Sequence, residues 1–111
     1  HDQVIAYTSQ LAHVVSSAYI KSPTAASFAG FSAGSFRDMT RVAFLNADMW
    51  TELFLDNRGP LQQEIEGIIG QLRAFSEALR AGDAAQLHAL LQDGREKKIQ
   101  TDALLQSDAA C

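Results

Sequence analysis

The sequence predicts an all-α protein, a helical bundle of four to six helices. Three observations support this: apolar residues recur at steps of three and four, strand signals are missing, and capping residues flank the periodic segments. No Asn-Gly or Asp-Gly pair joins two β-branched runs, as a hairpin would require. The 111 residues fit one domain, predicted at residues 1–106 with a frayed C-terminal tail at 107–111.

The composition excludes several classes of protein. An apolar share of 47% with 20% charged residues is typical of a globular chain and argues against disorder. The net charge is −4 and no basic run exceeds Lys97-Lys98, so nucleic acid is not an expected partner. The only cysteine, Cys111, leaves no disulfide framework and favours a cytoplasmic location. The longest apolar stretch, residues 11–20, is too short and too interrupted for a membrane span.

The first helix is predicted at residues 2–21, with Asp2 near its start and Pro23 marking its end. Its apolar residues cover more than one face, which is typical of a helix enclosed by others. Residues 22–35 are rich in small side chains and predict one long loop, a feature that is often functional.

The rest of the chain predicts further helices, at about 35–45, 46–57, 60–81 and 83–105. The helix at 60–81 has the clearest periodicity, and Gly82 is expected to cap it. Its apolar stripe, interpreted as core or oligomer interface, consists of Leu61, Ile65, Ile68, Leu72, Phe75 and Leu79.

The segment at 34–50 contains a candidate anion site. Asp38 and Arg41 are three residues apart, so they predict either a surface ion pair worth roughly 0–1 kcal/mol or an arginine that Asp38 orients toward a substrate carboxylate. Gly34 has no side chain, so its backbone could approach a ligand closely. Trp50 is either a core anchor or the wall of a pocket for a six-membered ring. The pattern alone leaves these alternatives open.

His13 lies among apolar residues of the first helix, where a packed side chain is the commoner role. No metal site is expected, because His1, His13 and His88 have no metal-ligand spacing. The sequence also lacks a nucleophile–base set, a pair of catalytic carboxylates and a GxGxxG motif. We therefore expect no catalytic residue and no bound cofactor in this chain.

Three segments together resemble one family: HDQVIAYTSQLAH (1–13), GSFRDMTR (34–41) and DMWTELFLDNR (48–58). They are similar to the C-terminal helical domain of prephenate dehydrogenases, the TyrA family, and the resemblance extends from residue 1 to about residue 100. It implies a homodimer whose N-terminal Rossmann domain, absent from this chain, binds NAD or NADP. The chain is then expected to be a piece of a longer protein and to be inactive alone.

The resemblance also implies a reaction, the oxidative decarboxylation of prephenate to 4-hydroxyphenylpyruvate in tyrosine biosynthesis. Arogenate is the alternative substrate. A helical oligomerisation module with no ligand site is the rival from a different class. The proposed partners are therefore prephenate, a second copy of the chain and its own Rossmann domain, with neither nucleic acid nor membrane.

The resemblance assigns roles to six residues. Those matching substrate-binding positions are His13, Gly34, Arg41 and Trp50, and those matching an ionic network near the dimer interface are Asp2 and Asp38. The chain departs from the family motif Ser-His-Leu-Pro-His at residues 9–13, where Gln10 stands for a histidine and Ala12 for a proline. Loss of the proline predicts a straighter helix, and Gln10 removes a titratable group.

Overall fold

The computed structural model describes residues 2–26 and 34–110. They contain helices and turns but no β-strand, which confirms the all-α prediction. The first helix is continuous and consists of α1 (Asp2–Ile5), a π-helical segment (Ala6–Gln10) and α2 (Leu11–Ile20). Of the predicted loop at 22–35, residues 27–33 lie outside the described residues.

The remaining helices are α3 (Pro23–Ala26), α4 (Gly34–Thr40), α5 (Ala47–Asp56), α6 (Arg58–Ala81) and α7 (Ala84–Ala110). With the first three segments counted as one helix, the described part of the chain has six helices, the upper end of the predicted range. None of them is both long and apolar enough to cross a membrane.

The helix α4 ends earlier than the sequence predicts. It was expected to reach residue 45, but it stops at Thr40, and Arg41 and Val42 form a turn. The Thr40 hydroxyl donates to the carbonyl of Phe36 (2.9 Å), and the Ala43 N–H donates to the carbonyl of Thr40 (3.0 Å). The second bond spans three residues, as in a tight final turn, so the chain leaves the helical path there.

The start of α5 agrees with the prediction. Asn46 is its N-cap, and its side-chain oxygen accepts from the N–H of Met49 at 3.0 Å, which supplies a partner that the first helical turn lacks. The next helix begins at Arg58, two residues before the predicted start at Pro60.

The junction of α6 and α7 is a Schellman cap followed by an N-cap. Gly82 has a φ of +64°. Its N–H donates to the carbonyl of Leu79 (3.2 Å), and the N–H of Asp83 donates to the carbonyl of Ala78 (2.9 Å). The Asp83 carboxylate then accepts from the N–H of Gln86 (3.0 Å). Gly82 was predicted as a cap, and the last helix was predicted to start at residue 83. The last helix continues to Ala110, past the predicted end at 105.

Contacts divide the chain into two compact units, His1–Gly67 and Ile68–Cys111, with the boundary inside α6. Among the described residues, the buried apolar side chains of the first unit are Ala6, Leu11 and Leu61. Among the residues of the second unit whose burial is described, Ala78 is the only buried apolar one. Each unit therefore has a very small core of its own.

Many large apolar side chains are exposed in both units. In the first unit these include Tyr7 at 62% and Phe44, which is fully exposed. In the second unit Leu72 is 61% and Leu79 is 65% exposed, although both belong to the predicted apolar stripe. The stripe was interpreted as either core or oligomer interface. Within a single chain, these two leucines do not belong to the core.

Candidate functional site

Helix α2 holds His13 in a defined orientation. The Nδ1 atom lies 2.7 Å from the carbonyl oxygen of Ser9, which is one turn earlier in the π-helical segment of the continuous first helix. Because a carbonyl oxygen can only accept, Nδ1 carries the hydrogen and donates it. In the neutral ring Nε2 is then the acceptor nitrogen, and the protonated ring is a donor at both nitrogens.

The imidazole of His13 stacks on the indole of Trp50, which α5 supplies. The ring centroids are 4.2 Å apart and the planes meet at 25°. The Phe54 ring, one turn further along α5, is tilted at 54° to the indole with its centroid 5.6 Å away. Offset and tilted arrangements at these distances are favoured by aromatic quadrupoles. The structure thus brings together two of the predicted site residues, His13 and Trp50, and adds a third ring.

Arg41 is exposed in the turn that follows α4. Within the described residues no ion pair joins it to Asp38, which is exposed on α4 itself. The predicted pairing assumed one continuous helix, and α4 ends before Arg41, so the spacing no longer brings the two side chains together. The guanidinium of Arg41 is accessible to a ligand in this arrangement.

Gly34 is the exposed first residue of α4, and a Cβ built there would meet no described atom within 4 Å. Asp2 contacts Asn57 through its backbone, because the Asp2 carbonyl accepts a hydrogen bond from Asn57 Nδ2 at 3.0 Å. In the part of the chain that the structure describes, no ion pair involves the Asp2 carboxylate. The ionic network near the dimer interface that the resemblance implies therefore stays a prediction.

A buried amide network next to the aromatic stack was not foreseen as part of the site. Gln10 is 5% exposed; its Nε2 donates to the carbonyl of Leu53 (3.1 Å), and its Oε1 accepts from Asn57 Nδ2 (2.8 Å). The sequence singled out Gln10 only as a departure from a family motif. A glutamine on the apolar first helix was the one available signal, since the large majority of buried polar side chains are hydrogen-bonded.

A cavity of about 330 Å³ lies among α2, α3 and α4. Its lining residues are Ala18, Tyr19, Ser22, Thr24, Ala25 and Phe36. None of the predicted site residues borders it. The predicted ligand-binding side chains therefore lie on other surfaces of the first unit.

The ion pairs between described residues all belong to α6 and α7. The exposed Lys97 bonds to Asp93 (2.8 Å), which raises the pKa of Lys97, and a bond to Glu77 likewise raises the pKa of Arg80. A further pair joins Lys98 to Asp102 at 2.9 Å. These pairs lie within one helix each and are worth little to stability. No group of three or more His, Cys, Asp or Glu that could hold a metal occurs within residues 2–26 and 34–110.

Comparison with known proteins places the chain in a family. The sequence profile described as "Prephenate dehydrogenase, dimerization domain" matches residues 1–93. The cyclohexadienyl dehydrogenase of Zymomonas mobilis subsp. mobilis is 30% identical over 106 residues, an alignment that covers 89% of this chain and 36% of that protein. The chain therefore spans about a third of the length of this relative.

A solved structure has the same fold. The crystal structure of Synechocystis arogenate dehydrogenase superimposes with a TM-score of 0.78 at 24% identity, over 91% of this chain and 39% of the other. At this identity the likeness establishes the fold alone. Fold and comparisons together define a helical domain of the kind that dehydrogenases carry. The chain belongs to the prephenate dehydrogenase family and corresponds to its dimerization domain, which confirms the resemblance found in the sequence.

Proposed function

We propose that this chain is the substrate-binding and dimerisation domain of an NAD(P)-dependent dehydrogenase that converts prephenate to 4-hydroxyphenylpyruvate in tyrosine biosynthesis. In this proposal an N-terminal Rossmann domain of the parent protein binds NAD or NADP. Membership of the prephenate dehydrogenase family supports the reaction class. The name of the Zymomonas relative, a cyclohexadienyl dehydrogenase, supports a substrate with a six-membered diene ring.

The stack of His13 on Trp50 is the observation that carries the proposal. The indole can form one side of a pocket for a six-membered ring, and the oriented imidazole beside it can bind a polar substituent of that ring. The Ser9 carbonyl fixes the rotation of the imidazole. Its Nε2 can accept from a hydroxyl when the ring is neutral and can bind a carboxylate when the ring is protonated. Prephenate has both groups.

Arg41 is proposed to bind a carboxylate of the substrate. Its guanidinium is exposed and can form two parallel hydrogen bonds with a carboxylate, which is the geometry arginine favours. Prephenate carries two carboxylates, and an arginine would neutralise one of them while the other leaves as CO₂. Asp38, Asp2 and Gly34 keep the roles implied by the family resemblance as predictions.

The redox step belongs to the parent protein. When bound there, NAD or NADP would supply the hydride acceptor, and loss of the ring carboxylate as CO₂ would leave the product ring aromatic. This chain would bind and orient the substrate for that step, so it is expected to be inactive alone. The cytoplasmic location expected from the sequence also stays a prediction.

A homodimer is the proposed assembly. Large apolar side chains left more than half exposed in one chain would be costly in water, at about 25 cal/mol per Å² of apolar surface, and a second copy would cover them. Those in the second unit are Leu72, Leu79, Leu91, Ile99, Leu104 and Leu105. The description of the matching family as a dimerization domain supports the same assembly.

The test is steady-state kinetics of the parent enzyme carrying Arg41→Ala. Losing a charge-assisted pair should raise KM for prephenate by about 10- to 100-fold, with a smaller rise for Arg41→Lys because lysine keeps the charge but not the planar fork. Arg73→Ala, at an exposed arginine of α6, is the matched control. An unchanged KM in Arg41→Ala would contradict the proposed role and favour an oligomerisation module without a ligand site.

Arogenate is the alternative substrate, and it differs from prephenate in carrying an amino group where prephenate has a keto group. Measuring kcat/KM for both acids with the same enzyme preparation decides between them. A higher kcat/KM for arogenate would reassign the substrate while leaving the role of Arg41 intact, since both acids carry the same two carboxylates.

A further inference from the structure

We propose that Gln10 is a positioning residue: its buried carboxamide sets the register between the first helix and α5, and it thereby holds the His13 ring on the Trp50 indole. The proposal rests on the proposed function only in treating that stack as part of a substrate site. The contacts that support it are independent of any ligand.

The carboxamide of Gln10 supplies a partner to the end of α5. Leu53 lies in the last turn of this helix, where backbone carbonyls lack N–H partners within the helix. The N–H of Asn57, four residues after Leu53, donates to the carbonyl of Phe54 instead (3.2 Å). Gln10 Nε2 donates to the Leu53 carbonyl (3.1 Å), so a side chain of the first helix caps α5.

The other half of the same amide is also bonded. Asn57, the C-cap residue of α5, donates from Nδ2 to Gln10 Oε1 (2.8 Å) and to the backbone carbonyl of Asp2 (3.0 Å). Gln10 thus has both a donor and an acceptor in use at 5% exposure. An amide that is satisfied in this way can leave its partners only at the cost of an unpaired buried group.

The hydrogen bond and the aromatic stack are successive contacts between the same two helices. Gln10 precedes His13 by three residues, and Leu53 follows Trp50 by three. Residues three apart share a helix face and lie about 4.5 Å apart along the axis. The two helices therefore run in opposite directions through these contacts, and the Gln10 bond lies one turn from the stack.

This geometry makes the register decisive for the stack. The Ser9 carbonyl fixes the imidazole of His13 to its own helix. Ring stacking tolerates sliding, because its energy varies slowly with offset, whereas a hydrogen bond to a backbone carbonyl requires a defined direction and length. The bonds that Gln10 makes with Leu53 and Asn57, together with the bond from Asn57 to the Asp2 carbonyl, thus oppose sliding of one helix along the other, and Gln10 takes part in two of these three.

The experiment is NMR spectroscopy of the isotope-labelled chain with Gln10→Met. Methionine keeps a similar length but cannot replace either hydrogen bond. Trp50 is the only tryptophan, so its indole signals need no further assignment. We expect loss of the indole ring-current shift on the His13 ring protons and of the nuclear Overhauser contacts between the two rings, with the helical circular dichroism kept. Gln63→Met, at an exposed glutamine of α6, is the matched control and should change neither.

An unchanged ring-current shift in folded Gln10→Met would overturn the proposal. If that variant lost its helical signal, Asn57→Ala would replace it, since this change removes the bonds from Asn57 Nδ2 to Gln10 Oε1 (2.8 Å) and to the Asp2 carbonyl (3.0 Å); a reduced shift supports the proposal and an unchanged one overturns it. Loss of helical signal in both variants would also overturn it, because the amides would then maintain the fold as a whole.

These measurements involve no substrate, so they separate the two proposals. A displaced stack in Gln10→Met together with an unchanged KM in Arg41→Ala would contradict the proposed function alone. An undisturbed stack together with a raised KM in Arg41→Ala would contradict the positioning role alone.

Discussion

The imidazole of His13 lies nearly parallel to the indole of Trp50, with 4.2 Å between the ring centroids. The two residues are far apart in sequence and belong to different helices, so the stack ties α2 to α5. An interaction of this kind has two measurable properties, a coupling energy between the two rings and a dependence on the groups that hold the helices in register.

The coupling energy should appear in a double-mutant cycle. We expect the double variant His13→Ala/Trp50→Ala to lose less free energy of unfolding than the two single variants lose together, by about 0.5–1.5 kcal/mol. Urea unfolding at one fixed protein concentration measures the three free energies. His88→Ala, at an exposed histidine of α7, provides the control cycle with Trp50 and should give additive effects. Additivity in the His13 cycle would mean that the stack contributes nothing to stability.

Replacing Gln10 by histidine should make stability depend on pH. A neutral imidazole can donate to the Leu53 carbonyl and accept from Asn57 Nδ2, which are the two bonds that Gln10 makes. Burial lowers the pKa of such a group below its unfolded value of about 6.5, so the unfolded chain binds the proton more readily. The stability of the variant relative to the parent chain should therefore hold above about pH 7 and decline as the pH falls below about 6.5.

The measurement for this variant is the difference in the free energy of unfolding between Gln10→His and the unchanged chain at several pH values. The difference cancels the titration of Asp2 and His13 on the same helix, because both chains contain them. A difference that stays constant from pH 5 to pH 8 would show that the introduced imidazole is not enclosed by the amide network.

The cap at Gly82 predicts opposite outcomes for two identical substitutions. Gly82 has a φ of +64°, so Gly82→Ala should lower the free energy of unfolding by about 1 kcal/mol although no atom lies within 4 Å of the new methyl group. Gly94→Ala, inside α7 and equally uncrowded, should raise it by roughly 0.5–1 kcal/mol. Thermal unfolding of both variants checks the signs, and equal signs would rule out the left-handed cap.

Charges on the exposed apolar stripe of α6 should separate the proposed dimer. Leu72 and Leu79 are seven residues apart, share a helix face and are 61% and 65% exposed. We expect the double variant Leu72→Arg/Leu79→Arg to be a helical monomer in light scattering at micromolar concentration, because two buried unpaired charges oppose association. Gln71→Arg on the same helix is the control. A dimer in the double variant would exclude this stripe from the interface.

Local sequence signals predicted much of the fold. Gly82 acts as the cap that the sequence predicted, and Asn46 and Asp83 cap helices at the predicted starts at 46 and 83, because a cap depends on a few adjacent atoms. The early end of α4 was not predictable in the same way. Residues 42–45 have an apolar pattern that suits a helix, but the turn after Thr40 depends on a hydrogen bond that no periodicity reports.

The candidate site was predicted in part. His13 and Trp50 were both named from the sequence, and the structure stacks them. The pairing of Asp38 with Arg41 assumed a helix that ends one residue too soon, and the roles of Gln10 and Asn57 depend on contacts between residues more than forty positions apart. Such contacts arise from the packing of helices against each other, so the local sequence pattern does not predict them.

The π-helical segment at Ala6–Gln10 has a consequence for how this helix could change. A π turn holds one residue more than an α turn, and removing it would rotate everything before the segment by about 100° against everything after it. The Asp2 carbonyl, which Asn57 binds, and the His13 ring, which Trp50 covers, could then no longer face α5 at once. The extra residue of the π turn therefore allows one uninterrupted helix to contact α5 both at Asp2 and at His13. Deleting one residue within the segment would restore a regular α-helix but would break one of these two contacts.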